Sequence, residues 1–578
     1  MASMAGQREG YRSALRSRDL RRLLGSQLIS ASGSWAYSVA LAVLLWERTH
    51  STAWVAAGAL GRFVPSLFFS AYGGVIAERF ERVALMVRIN IASLLVQLGL
   101  ALVAWRSGPV ALAVVLAAFT SLLQTVYNPA VAAVIPQVTR EDDLAAANAL
   151  NGAIDNLVVI LGPAIGAGLL LAGGSALAIL VNAVSFAVAA WMVGSLGVRS
   201  HPSDVTEGGS AGPLRQVADG FRAVMSSPTA RIFVGFSVLA SFVYGTDTVL
   251  FVPISNLQLG TGANGYGYLL AGLGVGGVAG AAVVNRLAGS RRLAPAILGG
   301  IALYCMPTAL LVVVHQPSVA FALQVVRGAG TLVVDTLAIT ALQRSAPKEM
   351  VARVFGVFFA LVLGAISLGA LITPWVLQAG LHTTLLVYGL GIPALCLLTL
   401  PRLLAMDGVA AATAGALAPR VALLERLDLF RAASRSSLER LASSAHETTV
   451  AAGTPVVVEG EVADAFYAVL QGSLDVTAVG ERGTAPRRLR ALGPGSYFGE
   501  IGLIAHIPRT ATVTARSDCT LLRIEGGDFL DALSNLNASP SLLEGAQTRL
   551  SLTHPSQTGI LEVAGRPEDA PVEEHAIG

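Results

Sequence analysis

The chain has 578 residues, of which 54% are hydrophobic and only 13% charged, with a mean hydropathy of +0.66. That charged share is about half of the roughly 25% usual in a soluble protein, so most of the chain is expected to lie in a lipid bilayer. A net charge of +3 with Lys348 as the single lysine excludes a basic nucleic-acid surface, and three scattered cysteines (Cys305, Cys396, Cys519) exclude a disulfide framework or a metal site.

The N-terminus is polar and Arg-rich and shows no cleavable signal pattern, so the first membrane helix is expected to direct targeting. Apolar segments follow near 23–46, 52–76, 84–105, 109–134, 149–172, 176–196, 231–256, 264–287, 293–314, 317–341, 352–376 and 380–401. Each meets the roughly 20 residues needed to cross a hydrocarbon core, which predicts twelve transmembrane helices. Arginines fall on alternate sides of these segments: Arg8 to Arg22 before the first, Arg79, Arg82 and Arg88 after the second, Arg215, Arg222 and Arg231 after the sixth, Arg286, Arg291 and Arg292 after the eighth. The positive-inside rule then puts both termini in the cytoplasm. Trp46, Trp54 and Trp105 cluster at the opposite helix ends, where an indole keeps its N–H wet. The polar stretch within 201–227 divides the spans six and six, into halves at about 20–200 and 228–401. Such a division predicts two helical bundles with a binding site between the repeats.

Past Pro401 the composition changes. Residues 402–420 are Ala-rich and read as a linker or short helix, and 421–549 read as a soluble domain. That domain opens with the helical spacing of LLERLDLFRAASRSSLERLASSA. Short β-rich runs separated by glycine turns follow, the pattern of a small barrel or jelly roll, and helix returns from 526. Residues 550–578 are Pro- and acid-rich and are expected to be disordered.

Within the soluble part stands FGEIGLIAHIPRTATV, from Phe498 to Val513. Gly499 and Gly502 let backbone approach a ligand. A short helical turn from Glu500 through Ile501 would aim free N–H groups at an anion. Arg509 returns to the same spot and can clasp a phosphate through two hydrogen bonds. Glu500 would repel phosphate but accept a hydroxyl proton, so a ligand with both a phosphate and a sugar hydroxyl suits the pair.

These residues resemble the phosphate-binding cassette of cyclic-nucleotide-binding domains, over about 421–545. The resemblance implies that Arg509 binds the cyclic phosphate and Glu500 the ribose 2′-hydroxyl, with Gly499, Ile501, Gly502, Thr510 and Ala511 around the ligand. It also implies that a residue of the final helix, near Phe529 or Leu533 but not fixed by the sequence, caps the base. Cyclic AMP is the favoured regulatory ligand, and the Thr510 hydroxyl leaves cyclic GMP open.

In the membrane part, GGVIAERFERVALM (73–86) resembles the loop signature of the major facilitator superfamily through Gly74, Glu78, Arg79 and Arg82. These would gate conformation and not touch cargo. LGPAIGAGLL (161–170) resembles the exporter-associated motif of that superfamily, with Ala167 where a glycine is usual; Gly162, Pro163 and Gly166 would kink and thin the fifth helix. Together they are similar to the drug- and siderophore-exporter branch. Five charges fall within predicted spans and away from their ends: Arg62, Asp155, Asp247, Arg327 and Asp335. Each costs a few kcal/mol there and needs a partner or a wet cavity. Asp247 and Arg62 read equally as coupling or structural groups, while Asp155 and Asp335 read first as structural.

The expectation is a polytopic α-helical membrane protein of the major facilitator fold with a C-terminal jelly-roll nucleotide sensor. It would be a proton-coupled efflux transporter of the plasma membrane, allosterically regulated by cytoplasmic cyclic nucleotide, with an unidentified small-molecule cargo. No nucleophile–base set or metal cluster suggests an enzyme, no cofactor is expected, and a homodimer through the final helix is compatible with the sequence. The alternatives are a membrane-anchored nucleotide receptor or scaffold, and an exporter of the nucleotide itself.

Overall fold

The computed structural model describes residues 10–198, 213–287, 293–345, 350–430, 433, 435–478 and 487–534. The chain divides into two compact units, Met1–Asp407 and Gly408–Gly578.

Among the described residues the first unit is built of helices and short connections. It begins with α1 (Arg18–Thr49), α2 (Thr52–Arg79), α3 (Arg82–Trp105), α4 (Val110–Val138) and α5 (Leu144–Gly194). An amphipathic α6 (Pro213–Ser226) precedes α7 (Pro228–Pro253), α8 (Ala263–Leu287), α9 (Leu293–Leu310), α10 (Pro317–Ser345) and α11 (Val351–Val376). The last apolar segment is built from α12 (Leu381–Leu386), a π-turn at Val387–Gly391 and α13 (Ile392–Leu397). All twelve apolar segments are thus helical, but they are not twelve separate rods. The fifth and sixth lie in α5, which breaks at Gly173 and Gly174, the latter with φ +71°. Among the described residues nine helices are long and apolar enough to span a bilayer, or ten if the bent pair Leu381–Leu397 and Leu400–Arg426 is one span.

Helix ends follow local chemistry. Ser17 caps α1 by accepting from Leu20 N, and the Glu81 carboxylate caps α3 by accepting from Val83 N and Ala84 N. The exporter-like motif acts here as packing. A Cβ on Gly166 of α5 would stand 2.8 Å from the Ala36 carbonyl oxygen of α1, so only glycine allows the two backbones this close. Gly162 likewise faces Trp35, whereas Gly168 has open space beside it.

Helix α14 (Leu400–Arg426) occupies the segment read as a linker or short helix. Its Leu403 is buried among membrane-unit side chains, and its Val421 and Leu424 are buried in the core of the soluble unit.

The soluble unit is a roll of two antiparallel four-stranded sheets. Its strands are β1 (His446–Val450), β2 (Pro455–Val457), β3 (Ala465–Gln471), β4 (Leu474–Ala478), β5 (Arg487–Leu492), β6 (Tyr497–Phe498), β7 (Thr512–Ala515) and β8 (Cys519–Glu525). One sheet has the order β1-β8-β3-β6 and the other β2-β7-β4-β5. Helices α15 (Arg435–Ser444), α16 (Glu500–Ala505) and α17 (Gly526–Ser534) complete it.

Strand β3 shows why the unit has two cores. Its alternating residues serve opposite faces: Ala465, Tyr467 and Val469 point into the roll, while Phe466 and Ala468 pack against the helices. Phe466 stacks on Phe529 of α17 with ring centroids 4.6 Å apart, and Phe430 meets both edge-on.

Candidate functional site

The cassette is assembled by three elements around a cavity of about 290 Å³ inside the roll. Phe498 ends β6, and Gly499 turns the chain with φ +92°, a left-handed conformation that disfavours any residue with a side chain. The turn launches α16, whose first residue Glu500 is 4% exposed and lines the cavity. Gly502 lines it too, and a Cβ there would collide with Ala463 at 2.7 Å. Ile501, Thr510 and Ala511 complete the lining on this side.

Arg509 is 5% exposed and held by three hydrogen bonds. Its Nη2 donates to Asp464 Oδ1 at 2.8 Å and to the Ala465 carbonyl at 2.8 Å, and its Nη1 donates to the Gly499 carbonyl at 3.1 Å. Its guanidinium also lies 5.9 Å from the Tyr467 ring centre. A guanidinium has five N–H donors, so two remain for a ligand. The fork is thereby fixed in place before any ligand arrives.

Asp464 is the hub of this arrangement. Burial works against its charge, but hydrogen bonds from Arg523, from its own backbone N–H and from Arg509 outweigh it, and the carboxyl is held below its ordinary value. Arg523 donates to Asp464 Oδ2 at 3.0 Å, and its hydrogen bond with Tyr467 is the main reason its own pKa rises.

One feature of the site belongs to no sequence motif: Arg487, Arg488 and Arg490 of β5 also line the cavity, and Arg488 pairs with Asp475 of β4 at 2.5 Å. Phe529 and Leu533, near which the base cap is expected, are buried in the helix-side core, where Phe529 stacks on Phe466, and neither lines the cavity. Residues 535–578, including the whole predicted tail at 550–578, lie outside the described residues, as do residues 199–212.

In the membrane unit the five intramembrane charges separate into two groups. Asp247 of α7 and Arg327 of α10 form a sealed pair, with Arg327 Nη2 2.8 and 2.7 Å from the two carboxylate oxygens. Tyr304 of α9 donates to Asp247 Oδ2 at 3.1 Å, and Gln324 accepts from Arg327 Nη1 at 2.7 Å. Arg327 is 0% exposed and Asp247 1%. Asp335 of α10 is half-buried and accepts from Ser237 of α7 at 3.0 Å.

Arg62 and Asp155 differ. Both line a cavity of about 460 Å³ formed almost wholly by helices of the first half. Of the gating residues, Arg82 is buried at the start of α3 and Arg79 is exposed at the end of α2. Gly74 and Glu78 lie in α2, with side chains outside the described residues. Pro163 sits inside α5 between the two packing glycines.

Comparison with known proteins matches both units. The family model "Major Facilitator Superfamily" covers residues 23–374, and "Cyclic nucleotide-binding domain" covers 447–535. A crystal structure of a point mutant of the nucleoside transporter NupG superposes with a TM-score of 0.57 over 67% of this chain and all of that one, at 10% identity, which speaks to fold alone. The cAMP-dependent protein kinase regulatory subunit of Yarrowia lipolytica is 44% identical over 78 residues, 14% of this chain and 20% of that protein. The cyclic nucleotide-gated potassium channel mll3241 of Mesorhizobium japonicum is 32% identical over 122 residues, 21% of this chain and 31% of that protein. The chain therefore spans less than a third of the length of these two relatives, and both likenesses concern a minor share of it. With more than half of its length matched by one family and its cassette residues gathered around one cavity, the chain belongs to the Major Facilitator Superfamily and carries a C-terminal cyclic nucleotide-binding domain.

Proposed function

We propose that this protein is a secondary active transporter whose activity is set by cyclic nucleotide bound to its C-terminal unit. The observation that carries this reading is the assembled cassette, in which Glu500 and Arg509 are both buried yet both line the roll cavity. A phosphate meets the two remaining Arg509 donors, and a ribose hydroxyl donates to the Glu500 carboxylate. Cyclic AMP is the favoured ligand. The arginines of β5 and the Thr510 hydroxyl offer donors to the acceptor edge of guanine, so cyclic GMP is the alternative to measure beside it.

Regulation requires that the nucleotide bind one transporter state better than the other. A coupling of about 1–3 kcal/mol changes activity roughly 5- to 150-fold. The transport direction is outward and the coupling ion is the proton, with both termini on the cytoplasmic face of the plasma membrane. The arginine distribution supports this orientation. Asp155 is better placed than Asp247 to carry a proton, because it lines a cavity while Asp247 is sealed against Arg327.

The test has two arms. Calorimetric titration of the full-length protein with each nucleotide establishes binding. Counterflow and proton-flux assays in proteoliposomes, with nucleotide on the side of the soluble unit, establish regulation. Tight binding of one nucleotide with a several-fold change in flux supports the proposal. A flux that ignores a bound nucleotide defeats it.

A further inference from the structure

The geometry points to a small organic zwitterion as the cargo class, held between Arg62 and Asp155 in the cavity of the first half. This inference rests on reading the membrane unit as a transporter.

The starting point is an unusual cation. Arg62 sits mid-way along α2, half-buried, with its guanidinium 4.7 Å from the Trp35 ring centre and 5.6 Å from that of Phe63. Those rings hold the flat faces by cation–π attraction. Among the described residues no carboxylate, carbonyl or amide accepts a hydrogen bond from its guanidinium. An arginine stays charged at any accessible pH, and a charge at this depth needs an acceptor. Its side chain lines the first-half cavity.

Asp155 lines the same cavity from α5. Its carboxylate receives a long 3.5 Å hydrogen bond from Asn151 Nδ2 and faces the Gln27 amide, both neutral groups, and it forms no ion pair with Arg62. Opposite charges that share a cavity without neutralising each other make complementary ends for one molecule. An acid group satisfies Arg62, and an ammonium or other cationic group satisfies Asp155.

Polar side chains stand among the apolar ones that line the cavity. Gln124 and Asn128 line it, and the Gln124 Nε2 is a buried donor with no partner among the described residues. Such a donor costs free energy unless something in the cavity accepts from it. The contrast with the second half sharpens the assignment, because there Asp247 and Arg327 already satisfy each other. A lipophilic cation would suit Asp155 but leave Arg62 repelling it, and a plain anion would suit Arg62 but meet Asp155.

The experiment uses full-length protein in nanodiscs, without nucleotide or proton gradient. The probes are the twenty amino acids and a set of dipeptides, each beside its N-acetyl and methyl-ester forms, read by equilibrium binding. At least one zwitterion is expected to bind, with its acetylated and esterified forms at least tenfold weaker. Arg62→Gln and Asp155→Asn should each weaken it about 10- to 100-fold, the size of a lost charge-assisted hydrogen bond, while Arg62→Lys restores part of the loss. Melting temperatures establish that the variants are folded. Absence of binding by every zwitterion overturns the inference, as does a binder indifferent to both substitutions. A null effect of nucleotide on flux would sink the proposed regulation and leave this binding result standing.

Discussion

Replacing Arg509 by lysine separates charge from geometry at the nucleotide site. The wild-type guanidinium spends three contacts on Asp464, Ala465 and Gly499, leaving two N–H groups for the phosphate. A hydrogen bond to a charged group contributes about 1.5–3 kcal/mol net. Lysine keeps the charge but has a single nitrogen with three donors, and Asp464 competes for them. Losing one of the two phosphate contacts should cost about 1.5–3 kcal/mol, or roughly 10- to 150-fold in Kd. Arg509→Ala removes both contacts and leaves the Ala465 carbonyl without its donor, so affinity should fall more than about a hundredfold. Titration calorimetry of both variants with cyclic AMP and cyclic GMP, beside circular-dichroism melts that establish folding, reads these values. A folded Arg509→Lys protein within threefold of wild type would refute the claim that the fork itself, and not its charge, recognises the ligand.

Three further outcomes are expected. Asp247→Ala should destabilise the membrane unit by about 3–5 kcal/mol because it strands the buried Arg327 charge; the double variant Asp247→Asn with Arg327→Gln should melt closer to wild type in detergent. Gly166→Leu should abolish folded protein by forcing α1 and α5 apart, whereas Gly168→Leu, which meets nothing within 4 Å, should express and melt normally on a fluorescence size-exclusion assay. The Asp464 carboxyl is held below the ordinary aspartate value of about 3.9. Its contribution is therefore complete above that value and lost as pH falls through its lowered folded-state pKa, so the melting gap between wild type and Asp464→Asn should be constant from about pH 5 to 8 and close only below about pH 4; a gap that shrinks near neutrality would contradict the tether.

What the sequence disclosed was local. Glu500 and Arg509 are nine positions apart within one turn–helix–strand excursion, so their meeting follows from short-range chain geometry. Gly162 and Gly166 are four apart and so share one helix face, which made a packing role legible before Trp35 and Ala36 were known as the neighbours. The partners were not legible. Asp464 precedes Arg509 by 45 positions and belongs to no motif, and only the pairing of β3 with β6 and β8 brings its end of the strand to the cassette. Arg487, Arg488 and Arg490 reach the cavity through the register of the β4–β5 hairpin, with its irregularity between Val476 and Thr477, which no composition rule supplies. The burial of Phe529 and Leu533 in the helix-side core was not legible either, because an apolar residue at helical spacing reads the same whether it faces a ligand or a core.

The intramembrane charges extend this lesson to function. Sequence marked all five as costly, but cost alone does not distinguish a charge that is paired from one that waits for a ligand. The distinction lies in partners up to 80 positions away, as for Asp247 and Arg327. Those two neutralise each other, whereas Arg62, Asp155 and the Gln124 amide line a common cavity of the first half. A two-bundle transporter that rocks about a fixed site needs its cargo contacts to be available and its scaffold contacts to be saturated. On the reading proposed above, the ion pair on α7 and α10 holds the second half together and the charges on α2 and α5 meet the cargo. Substitutions in the saturated pair should therefore be read out as melting temperature, and those in the unsaturated pair as affinity.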